Sequence, residues 1–251
     1  MDLAGKVVIV TGAARGIGRE YVRKLGQRGA AMVAADINDC SETVDLAERE
    51  GVRVVAAKLD VTNADSAVAA ARLAITAFGR IDGLINNAAL YGALKGGRFD
   101  TLSDADWDAA MAVNVKGIWN CCKAVVPHMR KAGGGSIINI SSLAASYGTP
   151  FVLHYTTSKA AVGGLTRGLA RELGRDRIRV NAIAPSAVLT EATNEFFAAK
   201  RDVALETIRS MQAIQSNLNP ADLVGTAGWL LSDASLFVTG QTIAVDGGTA
   251  M

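Results

Sequence analysis

Short runs of β-branched and small apolar residues alternate along the chain with longer stretches whose apolar positions recur at helical spacing. The short runs predict strands at Lys6–Val10, Ala31–Ala35, Arg53–Ala57, Gly83–Ile85, Ser136–Ile140, Arg179–Ile183 and Thr242–Val245. The longer ones predict helices at Gly16–Arg28, Cys40–Glu50, Ala64–Phe78, Asp104–Cys121, His154–Leu173 and Pro220–Leu231. Strands that alternate with crossover helices make parallel βαβ units. The pattern therefore predicts an α/β fold: one doubly wound, seven-stranded parallel sheet of Rossmann type with helices on both faces. With no repeat, linker or low-complexity tract to divide them, residues 1–251 read as a single domain. One stretch breaks the rhythm. Ser186–Asn219 has helical character but falls between the sixth strand and the last helix, at the carboxyl edge of the sheet, where an insertion can serve as a substrate lid.

Composition narrows the class. At 251 residues, 50% hydrophobic and 20% charged, the chain can bury a large core and is not disordered. The net charge of +2 is scattered, so no basic surface calls for nucleic acid. The densest basic stretch, Arg171 to Arg179, falls where a helix ends and where cations complement the helix dipole. Cys40, Cys121 and Cys122 have no framework spacing, which points to buried thiols in a reducing compartment. The stretch from Met1 to Lys6 has no signal-peptide pattern, and no apolar run is long enough to span a bilayer. A soluble, cytoplasmic protein with no membrane partner is expected.

The first strand runs into Thr11-Gly12-Ala13-Ala14-Arg15-Gly16-Ile17-Gly18 and directly into a helix. Glycines there let the backbone approach a pyrophosphate, while the helix N-terminus offers unpaired N–H groups and partial positive charge. The spacing is GxxxGxG rather than GxGxxG, so the turn alone is a weak signal. Asp36 strengthens it. Closing the second strand, this carboxylate can bind both hydroxyls of an adenosine ribose and repels a 2′-phosphate. Arg15 acts in the opposite sense, since a guanidinium can pair with that phosphate. NAD is favoured over NADP, because desolvating Asp36 against a phosphate is the costlier mismatch.

The most specific chemistry lies at Ser141-Ser142 and at Tyr155-Thr156-Thr157-Ser158-Lys159, where Tyr155 and Lys159 share one helix face a turn apart. A tyrosine that takes a proton from an alcohol near pH 7 needs roughly 4 kcal/mol of selective phenolate stabilisation. One ammonium about 4 Å away supplies on the order of 4 kcal/mol at an effective dielectric near 20. Lys159 suffices in magnitude. His154, beside Tyr155, reads as a packed or pocket-edge residue, and His128 is isolated. Without HExxH, cysteine pairs or a dense carboxylate set, no catalytic metal is expected.

The ordered set TGxxxGxG, Asp60-Val61, Asn86-Asn87-Ala88-Ala89, Asn114, Ser142, Tyr155/Lys159 and Pro185-Ser186 through Thr190 resembles the short-chain dehydrogenase/reductase family along essentially the whole chain. The resemblance implies that Ser142, rather than Ser141, polarises the substrate oxygen, that Tyr155 transfers the proton, and that Lys159 also holds the nicotinamide ribose. It further implies that Asn114 kinks its helix and anchors a water that relays protons to Lys159. Gly12, Arg15, Gly16, Ile17 and Gly18 would form the phosphate turn. Asp60 and Val61 would contact adenine, Asn87 and Ala88 the ribose-side loop, and Pro185, Val188 and Thr190 the nicotinamide end. Two positions depart from the family pattern: Ala89 and Ser186 each replace a usual glycine. Ala89 adds only a methyl group and is expected to be tolerated, whereas Ser186 can redirect the lid or add a hydrogen bond. Within the family, Asn181-Ala182-Ile183-Ala184-Pro185-Ser186 with Thr239-Gly240-Gln241 and Asp246-Gly247-Gly248 is similar to NAD-linked phenylethanol-type dehydrogenases. An NAD-dependent secondary alcohol dehydrogenase, assembled as a homotetramer, is the leading expectation. The alternatives are an NADPH-dependent ketoreductase of acyl thioesters and a dinucleotide-binding regulator without chemistry.

Overall fold

The computed structural model describes residues 2–249. Seven parallel strands form one sheet in the order β3-β2-β1-β4-β5-β6-β7. They are β1 Val7–Thr11, β2 Ala31–Asp36, β3 Val54–Lys58, β4 Gly83–Asn86, β5 Gly135–Ile140, β6 Ile178–Pro185 and β7 Thr242–Val245. Every residue of β1, β2, β4 and β6 is buried, as expected where helices cover both faces of a parallel sheet. The edge strand β3 instead mixes buried with more open positions, and β7 alternates exposed with half-buried ones.

Among the described residues ten α-helices surround the sheet: α1 Gly16–Gly26, α2 Ser41–Arg49, α3 Ala64–Phe78, α4 Asp104–Met111, α5 Gly117–Ala132, α6 Ala144–Tyr147, α7 Leu153–Leu173, α8 Glu191–Phe197, α9 Arg201–Met211 and α10 Pro220–Leu231. Successive strand side chains point to opposite faces, which splits the core in two. Ile9, Val33, Leu84 and Ile137 pack under α3, α5 and α7, whereas Val8, Val10, Met32 and Ile85 pack under α1 and α10. The winding reverses between β1 and β4. A crevice therefore opens at their carboxyl ends, the switch point at which ligands bind in sheets of this kind.

One expectation needs correction. The helix predicted at Asp104–Cys121 is interrupted by a π-helical turn, Ala112–Lys116, and then runs on to Ala132, passing through Pro127 to end at Gly133 with φ +86°. The Ser186–Asn219 insertion resolves into α8 and α9, and its base is closed by a bridge between Val188 and Leu218. The short helix α6, between Ser142 and Tyr155, has too few residues to show helical periodicity. The three cysteines are buried thiols, and adjacent Cys121 and Cys122 enter the same apolar layer. No helix among the described residues is long and apolar enough to cross a membrane.

Candidate active site

A cleft of about 510 Å³ lies over the switch point. Gly12, Arg15, Gly16, Ile17, Asp36, Asp60, Val61, Asn87, Ala88, Ser142, Tyr155, Lys159, Pro185, Val188 and Thr190 all line it. Gly18 and Asn114 stand behind its wall.

At the cofactor end, Gly12 and Gly16 take φ of +67° and +56°, the left-handed region that favours glycine. A Cβ on Gly12 would stand 2.8 Å from Ala88 Cα, and one on Gly18 would stand 2.1 Å from the Gly12 carbonyl. The first turn of α1 has no side-chain cap and no acidic residue, so its N–H donors face the cleft. This cradle fits a dinucleotide pyrophosphate. Asn87 holds the loop from behind, its side-chain amide donating to the Thr11 and Gly12 carbonyls at 3.0 Å each. Asp36, buried at the end of β2, accepts from the backbone N–H groups of Ala14 at 3.0 Å and Asn38 at 2.8 Å.

At the chemical end the two serines separate. Ser141 donates to the Lys159 carbonyl at 2.9 Å, within the core, whereas Ser142 lines the cleft with Tyr155, its Oγ accepting from the Ala144 N–H at 3.1 Å. The Lys159 ammonium is buried, donates to the Ile140 carbonyl at 2.8 Å, and lies 5.8 Å from the centre of the Tyr155 ring. Burial lowers the Lys159 pKa to about 8; burial first, and then the neighbouring Tyr91, raise that of Tyr155 above its ordinary value, with Ser142 acting in the opposite sense. Among the protein's own groups desolvation therefore prevails, and the lowering of the Tyr155 pKa by Lys159 that the sequence suggests does not appear.

Asn114 sits in the π-helical turn and is fully buried. Its carbonyl accepts from Leu90 N–H at 2.8 Å, and its amide donates to Ser158 Oγ at 3.0 Å, which in turn donates to the Tyr155 carbonyl at 2.7 Å. Asn114 thus ties the loop after β4 to the first turns of α7. His154 is fully buried and does not line the cleft.

Tyr91 escaped the sequence reading. Its ring stacks on Phe196 of α8 at 4.6 Å and tilts over Tyr155 at 5.4 Å, so α8 closes the cleft through Tyr91. Its only sequence signal is its place two residues after Ala89. Of the two departures, Ala89 is exposed and has no positive φ, so alanine fits without strain. Ser186 accepts a hydrogen bond from the Gln212 amide at 3.0 Å, both side chains being buried, which ties the end of β6 to the exit of α9.

This fold, glycine loop and Ser–Tyr–Lys cluster define a Rossmann-type oxidoreductase. The sequence profile described as enoyl-(acyl carrier protein) reductase matches residues 12–250. An uncharacterised oxidoreductase of Mycobacterium tuberculosis is 43% identical over 248 residues, which cover 97% of this chain and 96% of that one. A 3-oxoacyl-(acyl-carrier-protein) reductase of Thermotoga maritima is 38% identical over 252 residues, 99% of each chain. A carveol dehydrogenase of Mycobacterium avium, solved in complex with NAD, superposes with a TM-score of 0.91 at 32% identity over 98% of each chain. The chain belongs to the short-chain dehydrogenase/reductase family.

Proposed function

We propose that this protein is an NAD-dependent dehydrogenase that interconverts an apolar secondary alcohol and its ketone. One observation carries the reading: Ser142, Tyr155 and Lys159 line one cleft, walled by Tyr91, Leu143, Ala144, Val152 and Phe196. Ser142 and Tyr155 hold the substrate oxygen, and Tyr155 takes its proton on oxidation and returns it on reduction. Lys159 holds the nicotinamide ribose, Asp36 the adenosine ribose, and Val188 and Thr190 the carboxamide. NAD, when bound, supplies the hydride acceptor and a positive ring that favours the Tyr155 phenolate. Residues 186–219 act as the lid. The test is purified protein with NAD and aliphatic, cyclic, aromatic and steroid alcohols, with NADH formation as the readout. Turnover of apolar secondary alcohols is expected, and failure across the panel with NADH still bound would return the protein to the non-catalytic class.

The competing activity is the NADPH-dependent acyl-thioester reduction that the Thermotoga relative's name describes. A phosphorylated carrier calls for several free cations at the cleft mouth; of the two cations at the lid surface, Lys200 and Arg201, Arg201 is engaged with Asn194 and Asp202. Cofactor preference separates the two activities. The wild type should show higher kcat/KM with NAD, and Asp36→Ala should narrow the gap by about tenfold, or ~1.4 kcal/mol of relieved repulsion. A wild type that prefers NADP overturns the assignment.

The aromatic roof gives a further expected result. Phe196 stacks on Tyr91, and Phe197 meets Phe196 edge-on at 5.1 Å. Truncating either ring to alanine removes on the order of 2 kcal/mol of apolar contact. KM should rise more for bulky apolar alcohols than for 2-propanol, the larger effect falling on Phe196. Equal losses for both substrates would mean that the rings only pin the lid.

The outer face of α7 bears on assembly. Cβ atoms on Gly164 or Gly168 would meet nothing within 4 Å, so these glycines serve no close packing inside the subunit. A homotetramer joined through such helices is our reading. Light scattering at micromolar concentration should give four times the chain mass, and a monomeric mass refutes it.

A further inference from the structure

Arg15 is a cation in the glycine loop, and from the sequence it has one evident use, pairing with a 2′-phosphate. The structure gives it another partner. Its two terminal nitrogens meet the two carboxylate oxygens of Glu195 on α8, with Nη2 to Oε2 at 2.8 Å, across 180 positions of sequence. This two-point geometry is the stronger kind of arginine–carboxylate contact.

The surroundings are built for the pair. A Cβ on Gly92 would lie 2.3 Å from Glu195 Oε2 and 3.1 Å from Ala192 Cα, so the loop after β4 passes tightly against α8 and a side chain there would crowd both Glu195 and the helix backbone. On the other side, the missing Cβ of Gly16 faces the Thr190 methyl at 3.4 Å, and Thr190 caps the start of α8. The first helix of the insertion thus rests on the pyrophosphate turn itself. Glu191, one turn before Glu195, and Asp36 add negative potential around the guanidinium and, with Glu195, hold it more firmly protonated. One cation stands among three carboxylates. Both partners are about half exposed, so the pair is screened enough to open and re-form during turnover.

We propose that Arg15 is a lid latch and not a phosphate reader: its ion pair with Glu195 couples closure of α8 to the cofactor loop. By engaging the cation that could offset Asp36, the pair also sets the preference for NAD. The inference rests on the lid reading above. It makes Arg15 and Glu195 positioning and specificity residues. A 2′-phosphate must break the pair to reach Arg15, so binding NADPH and holding the lid closed oppose each other.

The test uses wild type, Arg15→Gln, Glu195→Gln, the double variant, and the charge swap Arg15→Glu with Glu195→Arg. Two readouts are taken: hydrogen exchange of residues 191–211 in the protein without cofactor, and fluorescence titration with NADH and NADPH. Each single substitution should raise exchange in the lid several-fold, the double variant no further, and the swap should restore protection. Glu195→Gln should tighten NADPH several-fold by freeing the guanidinium, while Arg15→Gln should leave NADPH affinity within about twofold. The proposal is overturned if Arg15→Gln weakens NADPH tenfold with lid exchange unchanged, or if the swap restores nothing. Neither readout needs turnover, so absence of alcohol oxidation would sink the proposed function and leave this test standing.

Discussion

Tyr155→Phe should lower kcat by several orders of magnitude and leave NADH binding nearly unchanged. The phenyl ring keeps the packing, because Tyr155 is held by Ala144, Val152 and the tilted Tyr91 ring through its apolar body. Only the hydroxyl goes, and it acts chiefly as the proton moves, so the loss appears in kcat rather than in ground-state binding. Retention of more than about a tenth of wild-type turnover would remove Tyr155 from the acid–base role. The pH dependence carries a sign that can be checked beside it. Oxidation needs Tyr155 without its proton, and burial raises its pKa. The oxidation rate should therefore climb with pH through the alkaline range. Reduction needs the protonated form, which is already complete at neutral pH, so it should stay flat there and fall only at alkaline pH. A neutral optimum for oxidation with an alkaline decline would contradict this ordering.

How much of this site was legible in the sequence follows from how local each requirement is. The Tyr155–Lys159 pair and the glycine turn are fixed by spacings within one helix turn or one strand–helix junction, so the chemistry can be read from neighbours. The covered parallel sheet also followed, because apolar runs such as Val7–Thr11, buried along their whole length, have few places to go except inside a sheet with helices on both faces. The partners of polar groups did not follow. Arg15 finds Glu195 and Ser186 finds Gln212 only after the chain has wound back on itself, and no periodicity encodes either pairing. Tyr91 was missed for the same reason: a single aromatic in a loop gains its role from the α8 ring that lands on it. The π-helical turn around Asn114 was implied only by family resemblance, as a kink. Its physical basis is a buried amide whose two ends are claimed by Leu90 and Ser158 on other elements.

Gly18→Ala should cost about 1–3 kcal/mol of stability and weaken NADH binding on the order of a hundredfold, or ~2.7 kcal/mol. Gly18 has ordinary helical geometry and no positive φ, so conformational freedom is not what makes glycine necessary there. Space is. A methyl group would stand 2.1 Å from the Gly12 carbonyl oxygen and 2.8 Å from both the Gly12 carbonyl carbon and the Asn87 amide nitrogen. Two of those atoms are backbone and cannot rotate away, so the start of α1 must move off the end of β1. That shift carries the uncapped N–H donors with it, which is why cofactor affinity should fall along with stability. Gly225→Ala supplies the control, since its Cβ would meet nothing within 4 Å inside α10. There the gain in helix propensity should raise stability by roughly 0.5–1 kcal/mol with NADH affinity unchanged. Thermal unfolding and NADH fluorescence titration on the two variants decide the matter. If Gly18→Ala keeps the wild-type Tm and affinity, the close approach of α1 to the glycine turn is not what shapes the pyrophosphate cradle.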